Sequence, residues 1–387
     1  MEFSDAVVFI VVVGARFLVP LLIPRFPLPA ILAALVIDAA DQTIFQQFTD
    51  LDLDGYQGYD KALDIYYLTI AYISAMRNWA SPFAFSVARV LWYYRLVGVV
   101  LFEMTEERWL LLVFANTFEY FFIFYEGVRT KWNPARLGRR GVVGAAAFIW
   151  IFIKLPQEWW IHIAQLDFTD FMKEDVFGST SDASWGEAMA NRPGVTALLV
   201  AALVGIGVLA YYGSKRLPPA DWSFTIDSDV VGRHLGWEAI PDGVPHEKVF
   251  GWPAVEKIFL LTLVSAIFGQ VLGTEASGLQ MVAAVALIVV TNAAISQWRG
   301  RRAMQWSSTF VQFIALTIAN VVLLTVFAAV MGTGGDTQFD FSRAVFFAVL
   351  LTLIIVLFDR YRRIRSARQL ERNMVDDADP LVGFAGE

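Results

Sequence analysis

The chain contains no cysteine. That excludes disulfides, iron–sulfur clusters and thiolate metal sites. Histidine is nearly absent as well: His162, His234 and His246 are the full set, and only His162 lies near an apolar run, which leaves a bis-histidine haem without support. Charged residues make up 17% of the chain against 57% apolar, a balance that excludes a disordered chain, a coiled coil and an ordinary soluble enzyme. No Gly-rich nucleotide loop, Gly-x-Ser-x-Gly elbow or HExxH pair occurs. The first residues, Met1 to Asp5, lack the basic n-region of a secretory signal, so the first apolar run reads as a retained span.

Long apolar runs recur from end to end. They mark an all-α polytopic membrane protein, because backbone polar groups in lipid must be satisfied within the segment. Eleven segments qualify: 5–24, 28–48, 60–79, 82–103, 109–128, 142–165, 194–213, 253–272, 279–298, 306–331 and 344–361. Alternating the connections between two sides gathers most loop Lys and Arg on one of them. Those are Arg25, Arg77, the 129–140 cluster, Lys215, Arg216, Arg233, Lys248, the 299–302 cluster and the 360–372 cluster. The other side keeps only Arg108, Lys173, Arg192 and Arg343. The expectation is an N-terminus outside, a C-terminus inside and a multi-pass protein of the cell membrane.

The pattern divides the chain into a charge-rich six-span bundle (1–165), an acidic outer loop (166–193), five plainer spans with a long inner loop at 214–251 (194–361), and a polar tail (362–387) expected to be disordered after Arg372. Trp222, Phe224 and Trp237 make the inner loop a piece that packs at headgroup level. Membrane lipids are the expected surroundings, the basic clusters suit anionic lipid, and a second copy or a membrane complex is the candidate protein partner. Nothing points to nucleic acid.

The first six spans hold the chemistry. Arg16, Asp38, Asp41, Asp64, Arg89, Arg95, Glu119, Glu126, Lys154, Glu158 and His162 all fall within them. A charge at the bilayer centre costs at least ~2.5–3.5 kcal/mol on insertion scales, so these groups must face one another, water or a ligand. Helical spacing puts Asp38 and Asp41 on one face, Glu119 and Glu126 on one face, and Lys154, Glu158 and His162 on one face. Pro156 interrupts the helix beside Lys154, and an ion pair between Lys154 and Glu158 is expected. The leading expectation is a transporter or channel whose path for protons, ions or a small charged solute runs through these residues. A membrane-embedded enzyme acting on a lipid-linked substrate and a non-catalytic subunit of a membrane complex are the alternatives, so whether the chain catalyses a reaction stays open. A sealed ion-pair network that only fixes helix register would use the same residues.

One further motif stands in the connection between the second and third spans. Asp50, Asp52, Asp54 and Gly55 fall at positions 1, 3, 5 and 6 of an EF-hand loop, with the Tyr56 carbonyl at position 7. Lys61 stands where the bidentate Glu belongs, and Asp60 or Asp64 is the nearby substitute. The turn is a candidate calcium site that would brace two spans. No other cofactor is implied.

Overall fold

A computed structural model describes residues 3–49, 56–166, 168–237, 251–271, 278–301, 309–331 and 341–378. Among them there are helices and connections and no strand. Five helical stretches are long and apolar enough to cross a membrane: Ser4–Leu22, Pro82–Thr105, Trp109–Arg129, Pro134–Ile163 and Pro193–Ser214. Gln280–Ile295 and Phe313–Val326 are shorter apolar helices.

The first helix, α1 (Phe3–Leu18), runs on through a 3₁₀ turn, Val19–Leu22. The second, α2 (Pro27–Phe48), opens with proline, whose fixed φ suits a first helical turn. The third, α3 (Tyr56–Asn78), is the axis of the fold. Tyr66, Ile70, Ala71, Tyr72, Ile73 and Ala75 along it are all fully buried, as a helix surrounded on every side requires. Neither α2 nor α3 belongs to the five apolar stretches. Asp38 and Asp41 in α2, and Asp60, Lys61, Asp64 and Arg77 in α3, lower their apolar character.

Next come α4 (Pro82–Thr105), α5 (Trp109–Val113) and α6 (Thr117–Arg129). Ser81 caps α4 by accepting the Ala84 N–H at 3.2 Å. A long rod follows: α7 (Gly138–Phe148), a π-helical turn (Ile149–Lys154), α8 (Leu155–Glu158) and a second π-helical turn (Trp159–Ile163). Pro156 sits between the two π turns, consistent with the backbone groups that a proline frees.

Beyond the rod lie α9 (Phe168–Phe171), α10 (Trp185–Asn191) and α11 (Pro193–Ser214). Helix α11 is apolar all round and buries no residue, so lipid is its natural solvent. The chain continues through α12 (Ser228–His234), α13 (Trp252–Val271), α14 (Gly278–Arg301), α15 (Thr309–Met331) and α16 (Phe341–Ala378).

Helices α1, α2, α4, α6, α13 and α16 all pack on α3. One core therefore runs from the charge-rich first helices into the plainer later ones, with Phe17 of α1 meeting Phe346 of α16 at 5.7 Å between ring centroids. The later helices carry their own polar ladder. The Asn292 amide donates to Asn320 at 3.0 Å, and the Asn320 amide donates to Thr352 at 2.8 Å. Such bonds fasten neighbouring helices where the hydrophobic effect between them is weak.

The tail differs from the sequence expectation. Helix α16 continues to Ala378, past Arg372, and its Ile364 and Ala367 are buried. Two arginines beyond the apolar run dock this part of the helix on the bundle. Arg365 donates to the Trp79 carbonyl at 3.3 Å, and Arg368 donates to the Arg77 carbonyl.

Residues 215–237, which follow α11, form a strap over the same end of the bundle. The Asp221 and Thr225 N–H groups donate to the carbonyls of Lys131 and Thr130, and the Ser228 N–H to that of Arg25. Asp221 pairs with Arg136, and Asp229 with Arg77. The Trp222 ring stacks on His234 at 5.4 Å, and the Trp237 ring carries the Arg368 guanidinium at 3.6 Å. His246 and Lys248 lie outside the described residues.

Candidate functional site

The run read as one span at 109–128 is broken. Helix α5 stops at Val113, and α6 begins at Thr117. Phe114 and Asn116 have non-helical backbones, with ψ of 49° and 66°. A break inside a stretch apolar enough to cross a membrane leaves carbonyl and N–H groups without helical partners, and lipid would not serve them. Side chains serve them here. Tyr94 donates to the Val113 carbonyl at 2.7 Å, and Arg95 donates to the Phe114 carbonyl at 3.1 Å. The Asn116 N–H donates to Glu158 at 3.0 Å.

The break is the centre of a buried acid–base network. Glu158 accepts from Asn116, faces His162 at 3.0 Å and lies 3.9 Å from Arg95. The Asn116 side-chain amide donates to Glu119 at 3.0 Å. Glu119 also accepts from the Tyr67 hydroxyl and pairs with Lys154 at 3.5 Å. The Lys154 ammonium rests 3.9 Å from the Tyr120 ring centre, a favourable cation–π contact. Glu119 sits in the first turn of the half-helix α6, where the free N–H groups and the helix dipole favour negative charge. Glu119, Lys154 and Glu158 are all buried, whereas the His162 side chain keeps 22% of its exposure. A titratable group with a route to the surface therefore ends the chain His162–Glu158–Asn116–Glu119–Tyr67.

The partner of Lys154 differs from the sequence expectation. Lys154 pairs with Glu119, and Glu158 turns to His162, Arg95 and the Asn116 N–H. The helix break explains the exchange, because it presents Glu158 with a backbone donor that an unbroken helix would have hidden.

A second cluster lies where α1, α2 and α3 meet. The Arg16 guanidinium donates to Asp38 and Asp41, and to Asp64 at 2.9 Å. Arg16 and Asp41 are buried, while the Asp38 and Asp64 side chains are 25% and 36% exposed. Tyr67 lies within electrostatic reach of Glu119, Asp64 and Asp38, so it stands between the two clusters.

Below these clusters lies an aromatic layer. Trp92 packs on Phe118 at 5.4 Å and Trp79 stacks on Phe122 at 5.8 Å, with Trp92, Phe118, Phe121 and Phe122 fully buried. Past it, near the strap, is a further ionic layer. Glu126 accepts from the Trp79 indole at 2.7 Å and pairs with Arg129 at 2.5 Å. Glu256 accepts from the Tyr72 hydroxyl at 2.6 Å and pairs with Arg362 at 2.6 Å.

The sequence-derived residues thus fall in two groups. Arg16, Asp38, Asp41, Asp64, Arg95, Glu119, Lys154, Glu158 and His162 gather on one side of the aromatic layer. Glu126 and Arg89 belong to the other, with Arg89 lying 6.0 Å from the Phe85 ring. Among the calcium candidates, Asp50, Asp52 and Asp54 lie outside the described residues. Tyr56 and Asp60 fall in the first turns of α3, and the placement of their side chains lies outside the description too.

The sequence does not mark Asn116, Trp79 or Arg129 as site residues, and it shows Tyr67 only as one of the aromatics among the charged helices. Arg129 was counted among the loop cations, yet it is 2% exposed. Asn116 did carry a signal. Asn followed by Glu three residues later is a helix-start pattern, hidden here inside an apolar run.

Gly98 controls how closely α4 approaches the break. A Cβ there would lie 2.0 Å from the Phe114 Cβ. Gly98→Ala is expected to destabilise the protein by about 1–3 kcal/mol through overpacking, read as a lower melting temperature in detergent. An unchanged melting temperature would show that Phe114 is free to move aside.

Comparison of the chain with known protein families, with curated proteins and with solved structures finds no match.

Proposed function

We propose that the protein is a multi-pass carrier of about eleven spans, with its N-terminus outside and its C-terminus inside the cell membrane. On this reading it moves protons, an ion or a small charged solute through its first six spans. The observation that carries the reading is the broken helix α5–α6, whose backbone groups are engaged by Tyr94, Arg95 and Glu158 beside the Glu119–Lys154 pair. Discontinuous helices with facing charges near mid-membrane are the arrangement by which carriers bind ions and substrates. Protons would pass between His162, Glu158, Glu119 and Tyr67, with Asp38, Asp41 and Asp64 as further acids and Arg16, Arg95 and Lys154 as counter-charges. The aromatic layer of Trp79, Trp92, Phe118 and Phe122 favours a carrier over an open channel, because a permanent pore would have to pass through those rings. A membrane-complex role for the later spans draws on α11, an apolar helix that buries none of its residues.

Proteoliposomes under an imposed pH gradient, with an internal pH dye, test the proposal. Collapse of the gradient faster than in empty vesicles, alone or on addition of one of a panel of monovalent ions, is the expected result. Equal rates in both preparations across the panel would overturn it.

A further inference from the structure

The ionic layer beneath the strap holds hydrogen-bond donors that the network around the break does not use. Arg129 spends Nη1 on Glu126, while its Nε and Nη2 have no hydrogen-bond partner among the described residues. One turn earlier on the same face of α6, the Tyr125 hydroxyl is also without a partner, and the residue is 1% exposed. Buried donors of this kind destabilise the fold, most of all on a charged group, unless an acceptor serves them. Nε and Nη2 form the side-on edge of the guanidinium, the pair that matches two oxygens of a carboxylate or phosphate.

A second arginine reaches the same place from α16. Arg365 donates to the Trp79 carbonyl, its guanidinium lies 3.8 Å from the Phe85 ring, and the Trp79 ring packs on Tyr125 at 3.9 Å. Tyr125 is within electrostatic reach of both Arg129 and Arg365. The acids nearby are already engaged, Glu126 by Trp79 and Arg129, and Glu256 by Tyr72 and Arg362. Neither Arg365 nor Arg89 forms an ion pair with a carboxylate among the described residues. Cationic donors therefore outnumber the acids available to them in this layer.

We propose that Arg129, Tyr125 and Arg365 form a binding site for a phosphate-class oxyanion, supplied by an anionic lipid headgroup or by free phosphate. Arg129 supplies the two-pronged edge, Tyr125 a neutral donor and Arg365 the second charge. The strap guards the site. The Trp222 indole donates to the Arg129 carbonyl at 3.1 Å, so the loop is fastened to the residue that holds the anion. Displacement of the strap is the way in. The site stands on the far side of the aromatic layer from the Glu119 network, and it does not depend on the carrier reading.

Thermal unfolding of the purified full chain tests it, first in a neutral detergent titrated with inorganic phosphate against chloride at equal ionic strength, then in nanodiscs of phosphatidylcholine with and without phosphatidylglycerol. Tyr125→Phe and Arg365→Gln are compared with the parent, because both leave the Arg129–Glu126 pair intact. A rise of several degrees is expected with one of the two ligands, with the half-saturating concentration at least tenfold higher in both variants. A response to phosphate in detergent assigns the site to the free ion. A response confined to phosphatidylglycerol discs, with anionic lipid retained on the parent in native mass spectra and lost from Arg365→Gln, assigns it to the headgroup. No response to either ligand, or an equal response in parent and variants, overturns the proposal.

Discussion

Glu119→Gln is expected to reduce flux in proteoliposomes by about 100-fold, the low end of what a positioned proton-transfer group contributes, while the protein stays folded. The amide keeps the size of the side chain, and its oxygen can still accept from Tyr67. What it loses is the proton-binding site and the negative charge beside Lys154. Lys154 retains Glu158 within electrostatic reach, so the fold does not depend on Glu119 alone. A melting temperature measured alongside flux separates the two roles. A register-fixing network predicts that stability and flux fall together. The carrier predicts a flux loss far beyond any change in stability, and parental flux from the variant would end Glu119's part in the path.

Arg16→Met is expected to destabilise the protein by about 3–5 kcal/mol, the usual penalty for removing one side of a buried ion pair. The variant takes the guanidinium away from Asp38, Asp41 and Asp64, of which Asp41 is buried. The triple variant Arg16→Met, Asp38→Asn, Asp41→Asn should recover most of the loss, because it neutralises the buried Asp41 and its neighbour Asp38 together with Arg16, and the remaining Asp64 side chain is 36% exposed. Denaturation midpoints in detergent read both effects. A single variant as stable as the parent would mean that the three carboxylates hold their places without Arg16. A triple variant as unstable as the single one would move the cost from charge to packing around Arg16.

Which residues share a face of one helix was legible, although the pair expected between Lys154 and Glu158 gave way to Lys154 with Glu119. Asp38 and Asp41 share a face by spacing, and both reach Arg16. Glu158 and His162 are four apart and meet at 3.0 Å. Partners far apart in the chain were not legible. Glu119 meets Tyr67 and Lys154 on two other helices, and Glu256 meets Tyr72 and Arg362. No periodicity within one helix reports which face of another helix lies opposite. The break at Phe114–Asn116 was hidden because apolar residues surround it and neither proline nor glycine marks it. The length of α16 was hidden because its charged end reads as solvated tail until the carbonyls of Arg77 and Trp79 come opposite Arg368 and Arg365.

The sequence by itself determined that the chain is helical and carries apolar helices long enough to cross a membrane. Hydrogen-bond satisfaction in lipid and a scarcity of charge leave no other reading for those runs. It also determined that the charges of the first helices must face one another, water or a ligand, because solvation by hydrocarbon is too costly. Only the tertiary structure decided which charge meets which, that one apparent span is two half-helices, and that an aromatic layer divides the polar groups into two sets. Those outcomes depend on the packing of six helices around α3, a property of surfaces brought together from distant parts of the chain.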